Sequence, residues 1–124
     1  MEEVNSTRRG HKFVTKEMMT TIPDLYATED TPMESKTLYA HYFLGGCDWY
    51  VAELDKATGE AFGHADLVMG FPEWGYFSLV ELEATTFPLH QVVERELDFT
   101  PCTLAEALEA RRGMPPRSIP EMEI

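Results

Sequence analysis

The hydrophobic pattern along the chain changes period several times, and each change marks an element. Residues 37–44 (TLYAHYFL) and 49–54 (WYVAEL) are rich in aromatic and aliphatic side chains and read as strands. Gly45-Gly46-Cys47-Asp48 forms the turn between them. Asp55-Lys56-Ala57-Thr58-Gly59 is a second turn, followed by a third strand over residues 61–68. Strands joined by turns this short make an antiparallel meander. Gly70 to Gly75 then breaks the pattern. Farther on, Val93, Arg95, Leu97 and Phe99 alternate with Glu94, Glu96 and Asp98, as in a half-buried strand with one acidic face.

Helices are marked by their caps. Thr15 is the N-cap of a helix reaching about Thr21, which Ile22-Pro23 ends. Ser78-Leu79-Val80-Glu81 and Thr103-Leu104-Ala105-Glu106 have the form of capping boxes. The second of these helices runs through Leu108 to Arg111-Arg112, cations at the negative end of the dipole, with Gly113 as the stop. The order meander, helix, strand, helix predicts a small single α+β domain. It has an antiparallel meander sheet and two or three short helices packed on one side. Residues 1–12 lack periodicity and are expected to form a flexible arm. Residues 13–112 make the domain, and the proline-rich residues 113–124 make a tail.

Composition narrows the chemistry. The chain has 124 residues, with 10 Lys+Arg against 22 Asp+Glu, for a formal charge of −12. Hydrophobic residues make up 44%, which excludes a disordered acidic tail and suffices for one core. Such acidity disfavours binding to a phosphate backbone or an anionic membrane surface. No apolar run approaches the ~18 residues of a membrane span. The start is polar, without a secretory pattern, so Cys47 and Cys102 are expected as reduced thiols of a cytoplasmic protein.

Candidate chemistry is mostly acidic. Residues 57–110 hold ten acids and one base, Arg95. Glu94, Glu96 and Asp98 would project from one face at roughly 6.6–6.8 Å intervals. They form either a solvated face that blocks edge pairing or, with neighbouring Glu81 and Glu83, a surface for a basic groove. Arg95 falls on the apolar face, so it needs a carboxylate clamp or serves an anionic ligand. Thr28-Glu29-Asp30 reads as a hydrogen-bonded turn or as a cation or acid–base site. His11, His41, His64 and His90 show no metal-ligand spacing and read as ordinary histidines, with His41 and His64 on neighbouring strands. Trp49, Tyr50, Phe71, Trp74, Tyr76 and Phe77 lack the basic neighbours that base stacking requires, so they read as core and turn packing. No GxSxG, P-loop or GxGxxG occurs, and no metal, cofactor or catalytic residue is expected.

The motifs nevertheless fall in a familiar order. Leu25-Tyr26-Ala27-Thr28-Glu29-Asp30-Thr31-Pro32, Trp49-Tyr50-Val51, Trp74-Gly75-Tyr76-Phe77-Ser78-Leu79-Val80-Glu81-Leu82, Val93-Glu94-Arg95-Glu96-Leu97 and Thr100-Pro101-Cys102-Thr103-Leu104 resemble the family called domain of unknown function 2958. The polar arm, the tail and the compact Gly45-Gly46-Cys47-Asp48 connection depart from its pattern. The resemblance implies an association with plasmids, conjugative elements and phages, often beside anti-restriction genes, and carries over no activity. Joined to the acidity, it leads to an expected function. That function is a non-enzymatic accessory protein of a mobile element that binds and inhibits a basic host defence protein of the anti-restriction or anti-CRISPR type, by nucleic-acid mimicry. Alternatives are a ligand-binding protein or enzyme with a pocket around Glu29, Asp30, Arg95 and His64, or an adaptor in a conjugation or replication complex. An adaptor would make contact through Arg8-Arg9 or the tail.

Overall fold

Alternating strands must bury one face each, and here the central strand of the sheet buries both. The computed structural model describes residues 1–67 and 70–113. In chain order the elements are α1 (Ser6–Arg9), α2 (Lys16–Thr21), β1 (Ala40–Leu44), β2 (Cys47–Leu54), β3 (Glu60–Asp66), β4 (Glu73–Ser78), α3 (Leu79–Ala84), β5 (Thr86–Phe87), β6 (Gln91–Val92), β7 (Glu94–Arg95) and α4 (Leu104–Arg112). Five strands form one antiparallel sheet in the order β4-β3-β2-β1-β7, and β5 pairs with β6 in a separate ribbon. The protein is a small α+β domain.

Local signals set most element ends. Leu44 pairs with Cys47, so the β1–β2 turn is two residues long, and Gly45 takes the positive φ (58°) that a side chain would resist. Thr15, Ser78 and Thr103 each accept a backbone N–H three residues on, starting α2, α3 and α4. Thr103 and Glu106 complete a reciprocal capping box.

Three expectations change. Residues 73–78 form a strand although Gly75 interrupts their pattern. Gly75 lies opposite Gly63, while Phe62 packs its ring 6.0 Å from Trp74 and 5.0 Å from Tyr76. Those cross-strand rings compensate for the missing side chain. The strand expected over residues 93–99 shrinks to Glu94–Arg95. After Arg95 the Glu96 N–H donates to the His41 carbonyl at 2.8 Å and the backbone turns away, leaving Leu97 60% exposed. Finally, the helices lie on both sides of the sheet. Every residue of β2 from Trp49 to Leu54 is buried, so neither face of that strand tolerates water. Phe13, Met18, Ile22, Tyr42, Val51 and Leu79 fill one face beneath α2 and α3. Leu38, Tyr50, Ala52 and Ala107 fill the other, beneath α4.

Residues 1–12 are not a free arm. The Glu83 carboxylate, 1% exposed, accepts the backbone N–H groups of Val4 (2.9 Å) and Asn5 (2.8 Å) and pairs with Arg9 at 3.1 Å. Arg9 also donates to the Val93 carbonyl at 2.7 Å and lies 4.5 Å from the Phe13 ring centre. Glu3 caps the N–H groups of Phe13 and Val14. Glu83, expected on a binding surface, is therefore an internal tether. A buried carboxylate and a buried guanidinium are tolerated only together. The tail expected after Gly113 lies outside the described residues.

Burial pushes the Glu83 carboxyl up, but the Val4 and Asn5 N–H groups and Arg9 more than offset this and hold it below the ordinary value of 4.5. A depressed carboxyl stabilises the fold above its unfolded value and loses that contribution as pH falls through the folded one. Glu83→Ala strands Arg9 and should cost about 3–5 kcal/mol in urea unfolding at neutral pH. The gap between variant and wild type should narrow as pH falls below 4.5, where the unfolded chain takes up the proton first, and close once the folded carboxylate is protonated as well. A neutral-pH loss below about 1 kcal/mol would show that the tether is dispensable.

Candidate functional site

Residues paired across antiparallel strands project from the same face. The register therefore sets His41, Tyr50, His64 and Trp74 in one row across β1, β2, β3 and β4. His41 stacks on Tyr50 with ring centres 4.4 Å apart and 9° between planes. Tyr50 and His64 are 6.5 Å apart, and His64 meets Trp74 edge-on at 5.5 Å. The two histidines do not approach each other, because Tyr50 stands between them.

His41, 3% exposed, is held at both ring nitrogens. Nδ1 lies 2.6 Å from Glu96 Oε1, and Nε2 lies 2.7 Å from Asp48 Oδ1. Carboxylates only accept, so both contacts are hydrogen bonds when the ring is an imidazolium. His64 is different. Its Nδ1 is buried with no hydrogen-bond partner among the described residues, and burial lowers its pKa against a smaller upward pull from Asp66. It packs as a neutral ring.

Over the His41 end of this row lies a cavity of about 700 Å³, within the size range of ligand sites. His41, Phe43, Tyr50 and Phe99 supply aromatic walls. Phe99 sits 6.0 Å from His41 and 6.1 Å from Tyr50, at 51° to each ring. Glu96, Asp98 and Glu106 bring carboxylates, while Ala107, Ala110 and Arg111 bring α4 to the rim. Hydrogen bonds from the Thr103 N–H and hydroxyl keep Glu106 below the ordinary carboxyl value, against a smaller upward push from burial. Cys102, also on the wall, has its thiol pushed up by burial and then by Glu106 and Glu96, which makes it a poor nucleophile. Cys102 is a free thiol. A smaller, mostly apolar cavity of about 380 Å³ lies on the opposite face, between Val4, Met19, Leu54 and Val80.

The acids singled out in the sequence are divided among three places. Glu96 and Asp98 line the large cavity, and Glu94 is exposed on the same face because it pairs with Phe43. Their grouping comes from the turn after β7, not from a straight row. Glu81 is exposed on α3, whose Leu79 packs on the other face of the sheet, and Glu83 is the buried tether. Arg95 pairs with Tyr42 and so faces away from the cavity. It has a backbone partner, donating through Nε to the Lys12 carbonyl at 2.9 Å, where a carboxylate clamp was expected. Glu29 and Asp30 sit in an exposed hydrogen-bonded turn and line neither cavity.

What holds that turn is a group the sequence reading passed over. Glu53, 3% exposed, accepts the N–H groups of Tyr26 (2.8 Å) and Thr28 (3.1 Å) and the Thr28 hydroxyl. Lys36, also buried, places Nζ 3.8 Å from Glu53 and 2.8 Å from the Thr28 hydroxyl. The available signal was an acid inside an apolar run. Asp48, Phe99 and Glu106 were likewise missed as site residues, since each becomes one only through contact with β1 or the cavity.

Fold and cavity together define a small α+β domain with an acidic, aromatic-walled pocket on one sheet face. The chain belongs to the family described as Protein of unknown function (DUF2958), which it matches over residues 26–112. No curated protein and no solved structure matches it. Among the described residues no helix is long and apolar enough to cross a membrane, and no group of three or more His, Cys, Asp or Glu side chains is placed to hold a metal ion.

Replacing His41 with phenylalanine removes the contacts of both ring nitrogens to carboxylates and leaves Asp48 and Glu96 facing an apolar ring. His41→Phe should cost about 3 kcal/mol, the lower end of the range for two contacts to charged groups, because Glu96 is partly exposed. Amide exchange at Glu96 and Cys102 should accelerate with it. Unchanged exchange at those two amides would mean that the bridge does not hold the segment.

Proposed function

We propose that this protein is a non-enzymatic, acidic binding protein that captures a basic partner and inhibits it. The observation that carries this reading is the meeting of Glu96, Asp98 and Glu106, from two separate elements, on one concave aromatic surface, with Glu94 beside it. A net charge of −12 steers cationic surfaces toward the molecule and repels phosphate backbones. The resemblance to proteins of plasmids, conjugative elements and phages supports a host nucleic-acid-handling defence protein as the partner, met in the cytoplasm. The acids curve around a cavity rather than running in line. That arrangement favours capture of a protruding cationic group over imitation of a phosphate backbone.

The test is a pull-down from host lysate with the wild-type chain and with Glu94→Lys, Glu96→Lys, Asp98→Lys combined. Circular dichroism and the melting midpoint serve as the folding control. The wild type should retain a basic protein at about 0.1 M salt and release it near 1 M, where screening falls within about 3 Å. The reversed variant should retain nothing. Capture that survives both the reversal and high salt contradicts the reading.

A further inference from the structure

Resting on that reading of the same cavity, we propose that its occupant is an arginine side chain carried on a short basic segment of the partner. The aromatic walls are planar and meet at an angle: His41 and Tyr50 lie nearly parallel, and Phe99 crosses both at 51°. A planar guanidinium stacks on such surfaces, whereas an ammonium acts as a hydrated point charge.

The acceptors are also set out for a fork. Glu96 Oε1 is fixed by His41, and Glu106 Oε1 is fixed by the Thr103 N–H at 2.8 Å. Among the described residues no hydrogen bond engages Glu96 Oε2, Glu106 Oε2 or either Asp98 oxygen. Each glutamate is thus oriented through one oxygen and presents the other. Guanidinium has five N–H donors in a fixed geometry that can reach several such oxygens at once. Arg111 is the one Lys or Arg among the described lining residues, so the three carboxylates outnumber it and the cavity repels anions. The volume exceeds that of one side chain, which leaves room for the residues flanking the arginine.

Three acetylated and amidated hexapeptides test this by isothermal titration against the full chain: Gly-Arg repeats, Gly-Lys repeats and Gly-citrulline repeats. L-arginine amide serves as a fourth probe. Ala110→Trp fills the cavity mouth from α4 without changing charge, and Thr100→Trp does so from the other wall should the first variant fail to fold. The arginine peptide should bind at least about tenfold more tightly than the lysine peptide. The citrulline peptide should not bind, and L-arginine amide should bind more weakly than the peptide. Either tryptophan variant should lose the arginine peptide while keeping a wild-type melting midpoint.

Equal binding of the arginine and lysine peptides overturns the inference and leaves the acidic capture reading standing. So does arginine-peptide binding unchanged by a folded tryptophan variant, or L-arginine amide matching the peptide. Absence of binding by either cationic peptide also overturns the inference. Only capture of the host partner that survives both the charge reversal and high salt overturns the underlying reading.

Discussion

One imidazole ring ties together the pieces that make the pocket. His41 sits on β1, Asp48 at the start of β2 and Glu96 just beyond β7, and the ring bonds both carboxylates at 2.6–2.7 Å. A buried polar ring is costly unless it finds hydrogen-bond partners, and each ring nitrogen has a carboxylate oxygen within hydrogen-bonding distance here. The consequence is geometric. Once Glu96 is anchored, the chain must arch away from β1, which lays Phe99 against His41 and Tyr50 and brings Cys102 to its backbone bridge with Leu38. Thr103 follows directly and starts α4 over the same sheet face. The cavity is the space left under that arch.

The same device recurs wherever an irregular segment meets the sheet. Glu83 gathers the N-terminal N–H groups and Arg9, and Glu53 gathers the turn around Thr28 together with Lys36. In each case a buried carboxylate satisfies backbone donors that have no place in the strand ladder. With both faces of β2 covered, loops and helix ends cannot rely on water for these bonds. Buried acids supply the acceptors instead. Two of the protein's acids, Glu53 and Glu83, are therefore structural, and those around the cavity are free of that duty.

Features written within a few residues were legible in the sequence. Thr15, Ser78 and Thr103 start their helices because each cap uses an N–H three residues away, and Gly45 turns β1 into β2. Features that depend on distant partners were not. The period-two pattern of residues 93–99 describes a strand, yet the bonds of Glu96 to His41 override it. His41 looked like an ordinary sheet histidine because its carboxylates lie 7 and 55 positions away. Glu83 looked like a surface acid because its guanidinium partner is 74 positions away. Glu96 and Asp98 were recognised as acids of interest, but the concave wall that joins them to Glu106 exists only after the arch has formed.

The most direct measurement of the account is a ¹⁵N-resolved NMR titration of the full chain with a short arginine-rich peptide. Binding at the cavity under the His41 bridge shifts the amides of His41, Glu96, Phe99, Glu106 and Ala110 together. Glu81 on the opposite side and Glu29 in the exposed turn stay in place. Shifts of equal size at Glu81 and Glu29 would contradict the account, because they would reduce the protein's acidity to an unfocused surface property.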